Sequence, residues 1–291
     1  QQIADRLFST FIFENIYFKN VSYEAALLAI DLIRSSKAPE VTFEKIYDAL
    51  MDDEIFTSLL AGNVSNLIQS QGLKFLAQPY RDRQEKLSGF LSQIQPFAKG
   101  ELSHLLNGGS GSFSVSELID PMLCQGNRSK TIIISIPTLL YQETASALGK
   151  MFLQEIAWSV ASRERRCFRE FTSVFLDEFS AFVYPSFVGL LNKARSSGVG
   201  FHLSHQSLGD LEAISPEFAK AINTNTNIKC VLGVNDPLTA DFFAKHFGTK
   251  DTEKTTERVQ RKTFGEEKKT GLMSLRETEQ YKIHPNKLRE Y

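Results

Sequence analysis

At 291 residues, with 42% hydrophobic and 23% charged side chains and a net charge of -1, the chain is long enough for two cores. Its composition excludes a disordered or collagen-like polypeptide, and its near-neutral charge shows no global basic field for nucleic acid, although a groove with a few Lys and Arg would not register. No apolar run approaches the ~18 residues of a bilayer span, and no basic start leads into an apolar core, so a soluble chain without signal peptide is expected.

The chain opens on Gln1 without an initiator Met and enters a helical pattern directly, so a fragment boundary is expected. Residues 1–107 read as an all-α domain. Ala25, Leu28, Ala29, Leu32 and Ile33 recur at three- and four-residue steps, and Phe43, Ile46, Tyr47 and Leu50 repeat the pattern. Thr42 is an expected N-cap, and Ser22 a second. Helical pattern continues over 64–75 and 87–97, with breaks expected near Pro79 and Pro96. The aromatics Phe8, Phe11, Phe13, Tyr17 and Phe18 crowd more than one helix face, which fits core packing or a protein-docking surface. Asn107-Gly-Gly-Ser-Gly-Ser112 is the expected linker.

Beyond it, strand and helix patterns alternate. Strands are expected at 130–136, 174–176, 199–204 and 228–234, and helices at 143–166, 185–196, 208–223 and from Asp236-Pro237 to about Gly248. That βαβαβαβα order predicts a parallel sheet, hence an α/β fold. Residues 249–270 are densely charged with both signs and read as a surface loop or ribbon. Cys124, Cys167 and Cys230 are widely spaced without a CxxC pair, which fits a reducing compartment and small core residues.

The chemistry-bearing stretch is Thr172-Ser-Val-Phe-Leu-Asp-Glu-Phe179, an apolar strand that ends in two carboxylates. Ligands of open α/β sheets gather beyond strand carboxyl ends, where Asp177 and Glu178 fall. The first acid of such a pair holds Mg²⁺ through water and the second orients the water that attacks a γ-phosphate. A strand ending in an acidic turn or helix N-terminus explains the same pair without catalysis. Gln206, after the strand at 199–204, fits a phosphate or water contact, or backbone satisfaction alone. His202 and His205 fall on opposite strand faces and share no metal. Asn235 and Asp236 read as turn and cap, with Thr239 on a helix surface. A G-x-x-x-x-G-K-[ST] loop is absent, and Gly149-Lys150 is followed by Met151 inside a helical pattern.

Taken together, Ile132-Ile-Ile-Ser-Ile-Pro137, Val174-Phe-Leu-Asp-Glu-Phe179, Lys193-Ala-Arg-Ser-Ser-Gly-Val199, Ser204-His-Gln-Ser207 and Asn235-Asp-Pro-Leu-Thr-Ala240 resemble the TraD/TraG-type coupling proteins of conjugation and type IV secretion. The resemblance covers about residues 107–291. It implies a RecA-like P-loop NTPase sheet over 108–291, the Walker B half, preceded by the all-α domain of 1–107. It also implies an ATP- and Mg²⁺-dependent motor, hexameric when complete, on the cytoplasmic face of a bacterial inner membrane, with membrane anchor and P-loop upstream. Its partners would be DNA or a secreted protein, the secretion channel, and relaxosome or adaptor proteins at the all-α domain. By position, Asp177 is the metal carboxylate, Glu178 the catalytic one, Gln206 the sensor and Arg195 a finger to a neighbour's nucleotide. Arg195 also fits a plain cation at a helix C-terminus. A non-catalytic recognition module is the competing reading. A metal nuclease lacks the further ligands that paired metals need.

Overall fold

The computed structural model describes residues 1–108, 115, 131–163, 171–261 and 267–290, with only the backbone described over 254–261 and 267–277. The chain divides into two compact units, Gln1–His202 and Leu203–Tyr291.

The first unit begins with seven helices: α1 (Gln2–Thr10), α2 (Ile16–Arg34), α3 (Phe43–Met51), α4 (Asp53–Leu60), α5 (Asn66–Leu76), α6 (Tyr80–Ala98) and α7 (Ser103–Leu106). Local chemistry sets their starts. Thr42 caps α3 as expected, its hydroxyl accepting the Lys45 N–H at 3.1 Å. Asp52 ends α3 and caps α4, accepting from Glu54 and Ile55 at 2.8 and 3.3 Å. Ser22 is not a cap: Asn15 starts α2 by accepting the Tyr17 N–H at 2.8 Å, and Ser22 lies buried within the helix. Nor does Pro96 break α6. It sits in the last turn, where the fault it introduces is followed by the helix end at Ala98.

The core of this region joins α1, α2, α3 and α6, with Ile30, Phe90 and Ile94 at 0% exposure. Phe90 stacks on Phe8 at 4.8 Å between ring centres. The crowded aromatics therefore divide: Phe8 and Phe11 are core, while Tyr17 and Phe18 stand 57% and 42% exposed. A long helix, α8 (Thr138–Arg163), packs Ala147, Leu148 and Met151 on the same core. It starts earlier than expected, through a non-helical Tyr141 (φ -124°, ψ 30°). Gln154 Nε2 donates to Thr10 Oγ1 at 3.1 Å, and Arg6 pairs with Glu155, which ties α8 to α1.

The sheet of the first unit is smaller than the alternating pattern suggests. Strands β1 (Thr172–Leu176) and β2 (Val199–Leu203) pair in parallel, joined through 3₁₀ turns at Phe179–Ala181 and Arg195–Ser197 that flank α9 (Phe187–Ala194). Gly198 closes the crossover at φ 71°, a left-handed position that suits glycine, and its carbonyl accepts the Thr172 N–H at 3.0 Å. The expected strands at 130–136 and 228–234 are not strands among the described residues: 131–137 and 226–236 carry no regular ladder. An apolar run favours extended backbone, whereas strand pairing requires a neighbour that the run does not specify. Cys230 is exposed rather than core, on a segment whose Ile228 and Leu232 stand 86% and 85% exposed. Cys124 and Cys167 lie outside the described residues.

The second unit has α10 (Leu208–Glu212), α11 (Pro216–Asn225), α12 (Pro237–Phe247), β3 (Thr249–Arg261), β4 (Glu267–Tyr281) and α13 (Pro285–Arg289). The expected helix at 208–223 splits because Ser215 caps a new start, accepting the Phe218 N–H at 3.0 Å, with Pro216 in the first turn. Residues 249–270 take the ribbon form: β3 and β4 pair antiparallel from Thr249↔Tyr281, with a register shift between Glu257 and Val259. Asp236 caps α12 as expected. Thr239, however, is buried at 2% exposure, donating to Asp236 and accepting the Leu208 N–H at 3.3 Å. Val234, Ala240, Phe243, Ala244 and Leu288 form one buried cluster of the unit, and the Val234 N–H goes to the Leu288 carbonyl at 2.8 Å. Among the described residues no helix is long and apolar enough to cross a membrane.

Candidate functional site

Along β1, Thr172, Val174 and Leu176 are half-buried while Ser173 and Phe175 are exposed. Asp177 and Glu178 follow at the carboxyl end and both are exposed. The strand stops because Glu178 turns into the left-handed region (φ 48°, ψ 44°), the one non-glycine residue at positive φ among those described. Such a conformation costs about 1–2 kcal/mol for a side chain with Cβ, so surrounding contacts must hold it. The Glu178 N–H bonds its neighbour Asp177 Oδ1 at 3.1 Å, and the Glu178 carbonyl accepts the Ala181 N–H at 2.9 Å.

Helix α8 fixes this turn from beneath. Ser146 Oγ donates to the Ala181 carbonyl at 2.8 Å, and the Phe182 ring lies over Gly149, where a Cβ would come within 2.3 Å of Phe182 Cδ1. Gly149 thus belongs to a close helix contact, not a phosphate loop. Neither Gly149 nor Phe182 was legible as site-forming; a glycine within an apolar-periodic helix was the available signal.

The two acids stand at the edge of a cavity of about 420 Å³. Ile132, Ile134 and Ile136 line one side of it, every second residue of the extended segment, while Ile133 is 88% exposed. Val174 and Leu176 line another side. No Lys or Arg lines the cavity among the described residues. Asp177 offers hard, exposed oxygen to a Mg²⁺ ion through water, and Glu178 a neighbouring acceptor for a water proton. The positive charge that phosphates need is not on this wall. Among the described residues no three His, Cys, Asp or Glu gather as a metal cluster.

Arg195 lies in the same unit, exposed, where α9 passes into its 3₁₀ turn, and does not line the cavity. Gln206 belongs to the second unit, just beyond the end of β2. Its side chain is exposed and its N–H bonds Asp210 Oδ2 at 3.2 Å, beside the capping box that Ser207 and Asp210 make at α10. His202 stacks on Phe175 at 4.2 Å, and His205 Nδ1 donates to the Ser207 carbonyl at 2.8 Å.

Residues 172–290 match the family model described as the TraM recognition site of TraD and TraG. Among solved structures the chain is similar to the bacterial conjugative coupling protein TrwBdeltaN70 in its unbound monoclinic form, at 14% identity and a TM-score of 0.67, over 98% of this chain and 62% of that one. It is also similar to the plasmid coupling protein TrwB with the ATP analogue ADPNP, at 15% identity and a TM-score of 0.64 over 98% and 62% of the two chains. The complex of TrwB with ADP and Mg²⁺ gives 14% identity and a TM-score of 0.57 over 98% and 61%. The chain therefore spans a little over three fifths of the length of the solved proteins it matches. No curated protein matches it. The chain therefore shares the α/β fold of these coupling proteins, and its residues 172–290 carry the domain described as the TraM recognition site of TraD and TraG.

Proposed function

We propose that this chain is the Walker B half and all-α domain of a coupling-protein ATPase that drives DNA or protein substrate toward a type IV secretion channel. One observation carries the reading: two exposed, adjacent carboxylates at the carboxyl end of a parallel strand, held by a left-handed Glu178 over a cavity. Asp177 would hold Mg²⁺ through water, Glu178 would accept the proton of the attacking water, and Gln206 would position that water or the γ-phosphate. Arg195 serves a neighbouring copy's nucleotide within a ring, for which an exposed position at a helix end is required. Bound Mg²⁺-ATP would supply the phosphoanhydride and the charge that aligns it. Polypeptide beyond this chain would supply the phosphate cradle, in keeping with the greater length of the similar solved proteins and the lack of Lys and Arg on the cavity wall among the described residues. Domains at 1–107 and 108–291 divide the work, the first recognising relaxosome or adaptor proteins. The working place is the cytoplasmic face of a bacterial inner membrane.

The test is ATP turnover by the complete protein. Glu178→Gln should keep ATP binding and lower turnover by about 10²- to 10⁴-fold, the range of a lost general base. Turnover near wild type would remove Glu178 from the mechanism. The second reading, a recognition module without catalysis of its own, is favoured by the lack of Lys and Arg on the cavity wall among the described residues. It requires that the complete protein turn over no ATP while its helical domain still captures partners.

A further inference from the structure

Strands β3 and β4 form a ribbon that pairs with no other strand among the described residues. From Thr249↔Tyr281 to Glu257↔Met273 they keep one unbroken antiparallel register. Successive residues of a strand belong to opposite faces, and directly paired residues share a face. Over this stretch the register sorts the charges completely. Asp251, Glu253, Glu257, Glu277 and Glu279 fall on one face, without a Lys or Arg, and Lys250, Lys254 and Arg276 fall on the other, without an Asp or Glu.

That arrangement works against the ribbon on its own. Asp251 stands opposite Glu279, Glu253 opposite Glu277 and Lys254 opposite Arg276, and like charges directly across a ladder are destabilising. Mixed signs on each face would have paired opposite charges instead. Lys250, Asp251, Glu253 and Glu279 are exposed, and among the described residues none of them forms an ion pair. A surface of opposite sign laid on each face would offset the repulsion within it.

The separation of signs singles out the occupant. A basic partner would need the acidic face alone and an acidic partner the basic face alone, whereas a second copy of the same ribbon offers the complement of both. A nucleic acid strand on Lys250, Lys254 and Arg276 would feel the carboxylates of the other face through a single layer, on the order of 10 Å away and so within roughly one Debye length. We propose that the ribbons of two copies of this chain stack, the acidic face of one on the basic face of the next. Such a contact uses different surfaces on the two copies, so it joins them head to tail and makes a ring if the rotation closes. Each face measures about 30 Å by about 10 Å, so a stack buries about 600 Å² in all, roughly half of what a stable interface needs. The contact is therefore weak and salt-sensitive, an addition to whatever else joins the copies. The proposal rests on the assembly of copies invoked above for Arg195 and names a surface for it.

The test is self-association of the full 291-residue chain, followed by sedimentation velocity over a concentration series without nucleotide. Wild type should associate with a Kd between about 10 μM and about 1 mM, and raising salt from about 0.05 M to about 0.5 M should weaken it by about tenfold or more. Asp251→Lys, Glu253→Lys, Glu277→Lys and Glu279→Lys together make both faces positive, and Lys250→Glu, Lys254→Glu and Arg276→Glu together make both negative. Each set exchanges like-charge pairs for like-charge pairs, so the ribbon itself should keep its stability, checked by the thermal melt. Either variant alone should stay monomeric where wild type associates, and the two mixed in equal amounts should associate at least as tightly as wild type. A wild-type chain that stays monomeric up to about 1 mM, either variant associating as wild type does, or a mixture that fails to associate would each overturn the proposal. An oligonucleotide that disperses wild type and does not bind the variant with both faces negative would give the basic face to nucleic acid instead. Association is read without nucleotide and with Asp177 and Glu178 intact, so failure here and failure of the Glu178 test are separate outcomes.

Discussion

The helical region and the strand-bearing part of the first unit both carry large apolar side chains, yet they dispose of them differently. In the helices, Phe56 and Phe90 are 0% exposed, and Phe97 is 1% exposed. Around the strands, Phe171, Phe175 and Ile133 are 72%, 73% and 88% exposed. The difference follows from hydrogen bonding. A helix satisfies its own backbone and needs only one apolar face covered, which short loops between helices readily achieve. A parallel strand depends on neighbours for its backbone and on layers above and below for both faces. Two paired strands therefore leave Phe175 on the surface, whereas the helices bury one face completely and expose apolar side chains such as Ile16, Leu67 and Leu73 only on the other.

The sharpest way to break this comparison is to truncate one aromatic from each region. Phe90→Ala should cost about 3–5 kcal/mol in denaturant unfolding, the range for a fully buried ring. Phe175→Ala should cost under about 1 kcal/mol, since the ring is 73% exposed and its stack on His202 is a surface contact. A comparable loss at both sites would show that Phe175 is covered in solution. Between these extremes, Gly149→Val should destabilise by about 2–3 kcal/mol, because the new side chain enters the space of the Phe182 ring. In the complete protein it should also depress ATP turnover, which a change confined to the helical bundle core would not do selectively.

Glu178→Gly has the opposite sign. Relief of left-handed strain, about 1–2 kcal/mol, exceeds the entropy that glycine adds to the unfolded chain, about 0.5–1 kcal/mol. The variant should melt slightly higher while losing the carboxylate, and a lower melting temperature would mean that Glu178 makes a stabilising contact worth more than its strain. The gentlest test is pH. Hydrogen bonds from the Thr239 hydroxyl, then the Thr239 N–H, then the Leu238 N–H hold the Asp236 carboxyl below its usual value. A depressed folded pKa contributes stability above the unfolded value of about 3.9, and that contribution fades as pH falls through the folded value. Asp236→Ala should therefore lower the melting temperature near neutral pH, and the gap to wild type should narrow below pH ~4. A gap that stays constant to strongly acid pH would reject the carboxylate cap.

Much of the fold was legible from residue pattern. Thr42, Ser215 and Asp236 announce helix starts because a side-chain oxygen within reach of orphan N–H groups works locally. The acids Asp177 and Glu178 were legible for the same reason, as an apolar run ending in charge. Ser22 misled because a cap residue differs from a buried serine only by what surrounds it. Cys230 and Thr239 exchanged their expected places, core for surface and surface for core, since exposure is decided by neighbouring elements.

By itself the sequence determined the helices of 1–107, the strands at 172–176 and 199–203 with the helix between them, and the acid pair at a strand's end, because capping, helical periodicity and turn chemistry act over a few residues. Tertiary structure alone decided that 131–137 and 226–236 carry no ladder among the described residues, that Gly149 receives a phenylalanine ring, and that Arg83 is buried with, among the described residues, no partner at Nη1. Each of those depends on which distant side chain or backbone comes within a few ångströms, and no local pattern encodes that.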